Sequence, residues 1–234
     1  MGKDKLRKFR ENEEMHNVVQ PTTEEVRSGL PLKGTWAKDQ FSNSNGLVLE
    51  LGCGKGEYTV ELARRTPDKN HIGVDIKGAR LWRGAKTATE EGLENVAFLR
   101  TRIDFIEHCF GENEVDEIWI TFPDPQIKHN RAKHRLTHPQ YLMKYAKFLK
   151  PGGTVNLKCD SEYLHGYTHG IVHMLGLEIE EAYHDIYKQI KPNEGILFDV
   201  ITHYETIWLN QGKAITYLRF KLDGIEEAMA RLTK

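Results

Sequence analysis

From Leu47 onward, short apolar runs alternate with stretches in which apolar residues recur at helical spacing. LVLEL, HIGVDI, VAFLR and DEIWITF read as strands, and residues 56–65 and 79–91 read as the helices among them. Such alternation predicts βαβ units and hence an α/β fold with a mostly parallel sheet. The pattern continues with a helix over 139–149, the turn KPGG, the strand TVNLKC and a helix over 161–175. EIEEAYHDIY follows, then a segment starting near Thr202, and finally AITYLRFKL, where Ile215, Tyr217, Arg219 and Lys221 oppose Thr216, Leu218 and Phe220. This period of two predicts added strands at one sheet edge. Residues 1–45 are polar and aperiodic, with turn or cap signals in QPTTEE, GLPLKGTW and SNSNG, and predict an arm with at most one short helix. The expected organisation is an arm and polar segment over 1–45, a domain over 46–222 and a short tail over 223–234.

Composition narrows the function classes. With 33 Lys+Arg against 34 Asp+Glu the net charge is -1, so any nucleic-acid footprint must be local. The 3 cysteines, Cys53, Cys109 and Cys159, lack C-x-x-C pairing and predict buried thiols rather than a disulfide framework or a zinc site. No run approaches a membrane span, and the start MGKDKLRKFRENEE lacks the apolar core of a leader, so a soluble cytoplasmic chain is expected.

Glu50-Leu-Gly52-Cys-Gly54-Lys-Gly56 follows a strand and opens a helix, the context in which a glycine pattern indicates a nucleotide site. Glycine lets the backbone approach a ligand where a Cβ would clash. Asp75 ends the next strand, where an acid can accept hydrogen bonds from ribose hydroxyls. The spacing is G-x-G-x-G, with an acid two residues before the first glycine. A dinucleotide site, or a tight turn without ligand, remains open from these residues alone.

The second constellation is FPDPQIKHNRAKHRL, Phe122 to Leu136. Two prolines fix the backbone on either side of Asp124, at the carboxyl end of a strand, where open α/β sheets hold ligands. Lys128, Arg131, Lys133 and Arg135, with His129 and His134, form a cationic segment suited to phosphate. A carboxylate that reads a base and cations that hold a backbone would answer to RNA. A turn-capping Asp and a solvated charge run are the alternative.

The glycine turn with Glu50 resembles the first motif of class I S-adenosylmethionine methyltransferases, whose cofactor ammonium benefits from a nearby carboxylate. Taken with Asp75, FPDPxxKxxxxKxRL, LKCD at 157–160 and THYE at 202–205, the chain resembles the tRNA (guanine-N7-)-methyltransferase family over about residues 47–222. That resemblance implies a Rossmann-like class I fold: a mostly parallel seven-stranded sheet, helices on both faces and an antiparallel C-terminal edge strand. It also implies S-adenosylmethionine as donor and the variable-loop guanosine of tRNA as acceptor. Carried over residue by residue, it assigns the cofactor to Glu50, Gly52, Gly54, Gly56, Asp75 and Asp124, with catalysis also at Asp124. Asp104 is the further cofactor contact after the third strand, with Arg102 the alternative. Lys128, Arg131, Asp160, Thr202, His203, Tyr204 and Glu205 are implied substrate contacts. No metal, membrane or obligate protein partner is expected. One departure stands out: Gln126-Ile127 replaces the family's usual Trp-Pro, which removes an aromatic stacking face.

Three further patterns have competing readings. Thr202 with Glu205 also fits a helix-capping box. His165, His169 and His173 at spacing four predict a polar surface or interface face rather than a metal site. Lys3, Lys5, Arg7, Lys8 and Arg10 form a basic arm that reaches tRNA phosphate or simply solubilises the chain. Rival functions are a non-catalytic tRNA-binding subunit, a nicotinamide-dependent oxidoreductase, for which the glycine spacing is wrong, and a methyltransferase for another RNA guanine.

Overall fold

The computed structural model describes residues 3–232. The chain divides into two compact units, one up to Asp116 and one from Glu117. The first contains α1 (Lys3–Glu14), β1 (Val18–Val19), α2 (Thr23–Ser28), β2 (Gly46–Leu51), α3 (Glu57–Arg65), β3 (Lys69–Val74), α4 (Gly78–Glu90) and β4 (Val96–Leu99). Strand β5 (Val115–Thr121) spans the division. The second unit continues with α5 (Pro139–Ala146), β6 (Leu149–Cys159), α6 (Glu162–Met174), β7 (Ile179–Tyr183), α7 (Ile186–Gln189), α8 (Ile196–Asp199), α9 (His203–Asn210), β8 (Thr216–Lys221) and α10 (Ile225–Leu232).

In the first unit the strand order is β1-β4-β3-β2, and every pair is parallel, as the βαβ alternation requires. Strands β2, β3 and β4 are buried along nearly their whole length, so they read as largely apolar runs. Phe98 on β4 lies in a cluster with Cys53, Val60, Ala63, Leu81, Ala85, Ala88 and Val96. Gly56, Gly73 and Gly84 all abut its ring, and a Cβ at any of them would stand 2.5–2.8 Å from a ring atom. The α3 and α4 segments therefore approach β4 through glycine.

In the second unit the order is β5-β6-β8-β7, with β8 antiparallel to both β6 and β7. The described residues thus carry eight strands, mostly parallel with antiparallel C-terminal strands. The extra strand relative to the expected seven is the two-residue β1. The predicted turn KPGG lies within the continuous β6, where Gly152 at φ +74° still turns the backbone.

Two expectations need correction. Residues 1–45 hold α1, β1 and α2 rather than at most one short helix. Helix α1 was illegible because charged pairs and edge contacts hold it instead of an apolar stripe. Asp4 pairs with Arg7 at 2.8 Å and Lys8 at 2.9 Å, and Asn12 Nδ2 donates to the Gly78 carbonyl at 2.9 Å. Arg7 and Lys8 also lie over the Trp82 ring, so these arm cations already have partners in the protein. The segment after 222 contains α10, with Ile225 and Ala228 buried. Finally, His165 is fully buried rather than on a surface face, with its Nε2 3.2 Å from the Tyr217 carbonyl. His173 is exposed.

Candidate functional site

In the first unit the chain leaves β2 and makes the glycine turn before α3. Gly52, Gly54 and Gly56 all sit in the left-handed region, at φ +82°, +57° and +71°. There a side chain is strained. Their spatial demands differ. At Gly56 a Cβ would meet Phe98 at 2.5 Å and the Gly84 Cα at 3.2 Å, so packing also requires glycine. At Gly54 a Cβ would meet nothing within 4 Å, so the turn keeps an open backbone edge there.

Asp75 ties the end of β3 to this turn. Its Oδ2 accepts from the Gly54 N–H at 2.9 Å and its Oδ1 from the Lys77 N–H at 2.8 Å. Each oxygen retains acceptor capacity, which suits a diol. Glu50 is 3% exposed, and its Oε2 accepts from both the backbone N–H and the hydroxyl of Thr59. Thr59 lies in the first turn of α3, so the carboxylate satisfies an otherwise orphaned helix donor and complements the helix dipole. An open glycine edge, a diol-accepting acid and a fixed negative charge fit a sulfonium nucleoside bearing an amino-acid ammonium. Asp104 lies in the first turn of a 3₁₀ segment (Ile103–His108), and Arg102 donates to its Oδ2 at 3.0 and 3.1 Å. The two rival assignments are therefore a bonded pair.

In the second unit β5 ends in a constrained turn. Phe122 and Gln126, neither of them glycine, adopt φ +46° and +45° and bracket Pro123-Asp124-Pro125. Asp124 is exposed, and its Oδ1 accepts from the Gln126 N–H at 2.9 Å. Lys128, His129, Arg131, Lys133 and His134 are exposed on and beside a 3₁₀ turn (His129–His134). Arg131 Nε donates to Gln126 Oε1 at 3.0 Å, so the residue that replaces the aromatic organises a cation instead. Arg135 departs from the phosphate-contact expectation, being 3% exposed and bonded to the FPDPQ turn.

Asp160, after β6, pairs with Lys213 at 3.3 Å, and Lys213 stands 3.7 Å from the centre of the Trp208 ring. Thr202 caps α9 by accepting from the Glu205 N–H at 3.1 Å. Glu205 is fully buried: Oε2 accepts from Lys158 Nζ at 2.7 Å and Oε1 from the Tyr187 hydroxyl at 2.9 Å. Of the four residues in THYE, His203 and Tyr204 are the exposed pair, their rings edge to face at 5.9 Å. Sequence reasoning missed Lys158, whose place mid-strand in a buried run was the available signal. It also missed the anchoring role of Arg135, for which residue type gave no signal. Among the described residues no group of three or more His, Cys, Asp or Glu could hold a metal ion. No described helix is long and apolar enough to cross a membrane.

The fold matches solved methyltransferases. The 16S rRNA methyltransferase KamB superposes with a TM-score of 0.59 over 80% of this chain and 93% of its own, at 15% identity. A SAM-dependent methyltransferase from Aquifex aeolicus gives 0.52 over 86% and 98%, at 12% identity. These likenesses show the fold of class I S-adenosylmethionine-dependent methyltransferases. A family model described as "Putative methyltransferase" matches residues 44–218. The tRNA (guanine-N(7)-)-methyltransferase of Christiangramia forsetii is 59% identical over 94% of this chain and 99% of its own. That of Porphyromonas gingivalis is 49% identical over 85% and 80%. The chain belongs to the tRNA (guanine-N(7)-)-methyltransferase family.

Proposed function

We propose that this protein transfers a methyl group from S-adenosylmethionine to N7 of the guanosine at conventional position 46 in the tRNA variable loop. The observation that carries methyl transfer to guanine N7 in tRNA is 59% identity to the tRNA (guanine-N(7)-)-methyltransferase of Christiangramia forsetii over nearly the whole of both chains, while position 46 rests on the motif resemblance. An exposed carboxylate in a proline-fixed turn, followed by exposed cations, supports the RNA side of it. The cytoplasm is the proposed place of action, with no obligate protein partner.

When bound, the cofactor supplies an electrophilic methyl group on a sulfonium. Gly52, Gly54 and Gly56 shape the backbone edge that receives it, Asp75 accepts its ribose hydroxyls, Glu50 provides charge for its ammonium, and Asp104 is a further contact. Guanine N7 carries an in-plane lone pair and needs no deprotonation, and the methylated purine is cationic. The task of the protein is therefore positioning and charge stabilisation rather than general-base catalysis. Asp124 performs it by accepting from the donor edge of the guanine and offsetting the developing charge, and it also contacts the cofactor.

Asp160, held by Lys213, accepts from a second donor. Lys128 and Arg131 bind phosphate, and the exposed His203 and Tyr204 contact the RNA. Thr202 and Glu205 serve the same surface indirectly, by capping and anchoring α9. Replacement of Asp124 by Asn tests this reading: single-turnover transfer should collapse even at saturating S-adenosylmethionine. Near-normal turnover would reject it.

A further inference from the structure

Among the described residues of the cationic segment 128–135, Arg135 is the buried cation; Lys128, Arg131 and Lys133 are exposed. Its guanidinium donates from Nε to the Pro125 carbonyl at 3.3 Å and from Nη2 to the Gln126 carbonyl at 3.1 Å. Nη2 also bonds the Tyr163 hydroxyl at 2.7 Å. The guanidinium lies over two rings of α6, 5.0 Å from the centre of Tyr163 and 4.3 Å from that of Tyr167. Planar fork geometry and stacking are the properties for which arginine and lysine are not interchangeable.

The turn so held is one that needs holding. Phe122 and Gln126 occupy the left-handed region without being glycine, a conformation that persists only where surroundings over-determine it. The Gln126 backbone lies next to the Asp124 carboxylate: its N–H donates to Asp124 Oδ1, and its carbonyl accepts from Arg135. Helix α6, on the other side of the guanidinium, begins directly after Asp160, with Ser161 as its cap. Arg135 thus connects the Asp124 turn to the first turns of the helix that follows Asp160.

We propose that Arg135 is a positioning residue for methyl transfer. It fixes the direction of the Asp124 carboxylate relative to α6 through the carbonyls of Pro125 and Gln126, and it does not bind tRNA phosphate. The inference rests on the role given to Asp124 above.

The test compares Arg135→Lys and Asp124→Asn with the parent protein, using unmodified tRNA transcript and S-adenosylmethionine. Arg135→Lys keeps the charge and loses the fork. It should lower kcat by about a hundredfold, the scale of an ångström-level misplacement, with tRNA Kd and its salt dependence within twofold of the parent. Parental kcat in the folded variant would overturn the proposal. So would a weakened tRNA Kd with a flatter salt dependence at unchanged kcat, the signature of a phosphate contact. Should Arg135→Lys fail to fold, Tyr163→Phe removes one anchor and retains the ring, and the same split is expected at several-fold; an unchanged kcat would overturn the proposal. Normal turnover in Asp124→Asn, by contrast, would sink the Asp124 reading itself, and loss there with normal Arg135→Lys would sink the positioning role alone.

Discussion

Lys158 Nζ lies 2.7 Å from Glu205 Oε2, with both side chains fully buried. The ammonium also donates to the carbonyls of Leu197 at 2.7 Å and Val200 at 3.2 Å, so all three of its protons have acceptors. Burial pushes the Lys158 pKa down while Glu205 opposes the shift, and we regard the ion pair as the resident form. One strand lysine thereby fastens α8, the segment after it and α9 to β6.

Removing one partner leaves an uncompensated buried charge, at a cost of about 3–5 kcal/mol. Lys158→Met and Glu205→Gln should each lower the denaturation midpoint strongly. The double variant Lys158→Met/Glu205→Leu should recover much of the loss. Chemical denaturation measures this. A Glu205→Gln protein of parental stability with a raised KM for tRNA would instead mean that Glu205 touches the RNA directly.

A pH dependence follows from His71 on β3. Burial lowers its pKa from 6.5 to about 4, and its Nε2 is 2.8 Å from the Thr66 hydroxyl. The unfolded chain therefore binds the proton at higher pH than the folded one, so stability falls as pH drops from about 6.5 to about 4 and levels below. The His71 share of that loss is roughly 3 kcal/mol. Denaturation curves across the window should flatten in His71→Gln relative to the parent. Parallel curves would remove His71 as the cause.

Gly84 of α4 bears on the glycine turn at 52–56, the proposed cofactor edge, from outside it. A Cβ there would stand 2.6 Å from Phe98 Cζ, 2.8 Å from the Lys55 carbonyl oxygen and 3.0 Å from the Gly56 Cα. Gly84→Ala should cost about 1–3 kcal/mol of stability through overpacking. If about 1.4 kcal/mol of that strain is expressed in the turn, the Kd for S-adenosylmethionine rises about tenfold. Calorimetry checks it. A destabilised variant with parental cofactor affinity would show that the turn is insulated from α4.

The exposed cations should behave differently from Arg135. Arg131→Ala and Lys128→Ala should each raise KM for tRNA with little change in kcat. Each should reduce the slope of log Kd against log salt by about 0.7–0.9. Gln126→Ala, which frees Arg131, should move KM in the same direction. Unaltered salt slopes would remove these residues from the phosphate contact.

The sequence made the βαβ order legible because strands buried on both faces read as uninterrupted apolar runs, and glycine punctuated their ends. Helix α6, expected over 161–175, forms at Glu162–Met174, with Ser161 as its cap. Helix α1 was not legible, since its contacts are charge pairs and cations laid over the Trp82 ring. Asp75 and Asp124 stood out by their positions at strand ends; in the structure each carboxylate accepts from backbone N–H groups of its own turn. Arg135 and Glu205 did not: a buried arginine and an exposed one have the same letter, and Thr-x-x-Glu reads as a capping box. Here the Thr202 half of that box forms, while the Glu205 side chain turns inward to Lys158.

The central claim concerns one atom of one nucleotide. Purified protein incubated with labelled S-adenosylmethionine and unmodified tRNA transcript, followed by borohydride and aniline cleavage, cuts the RNA selectively at N7-methylguanosine. A single cut in the variable loop at position 46 is the predicted result. Label incorporated without a cut there, a cut at another guanosine, or no transfer by protein that binds the cofactor would contradict it.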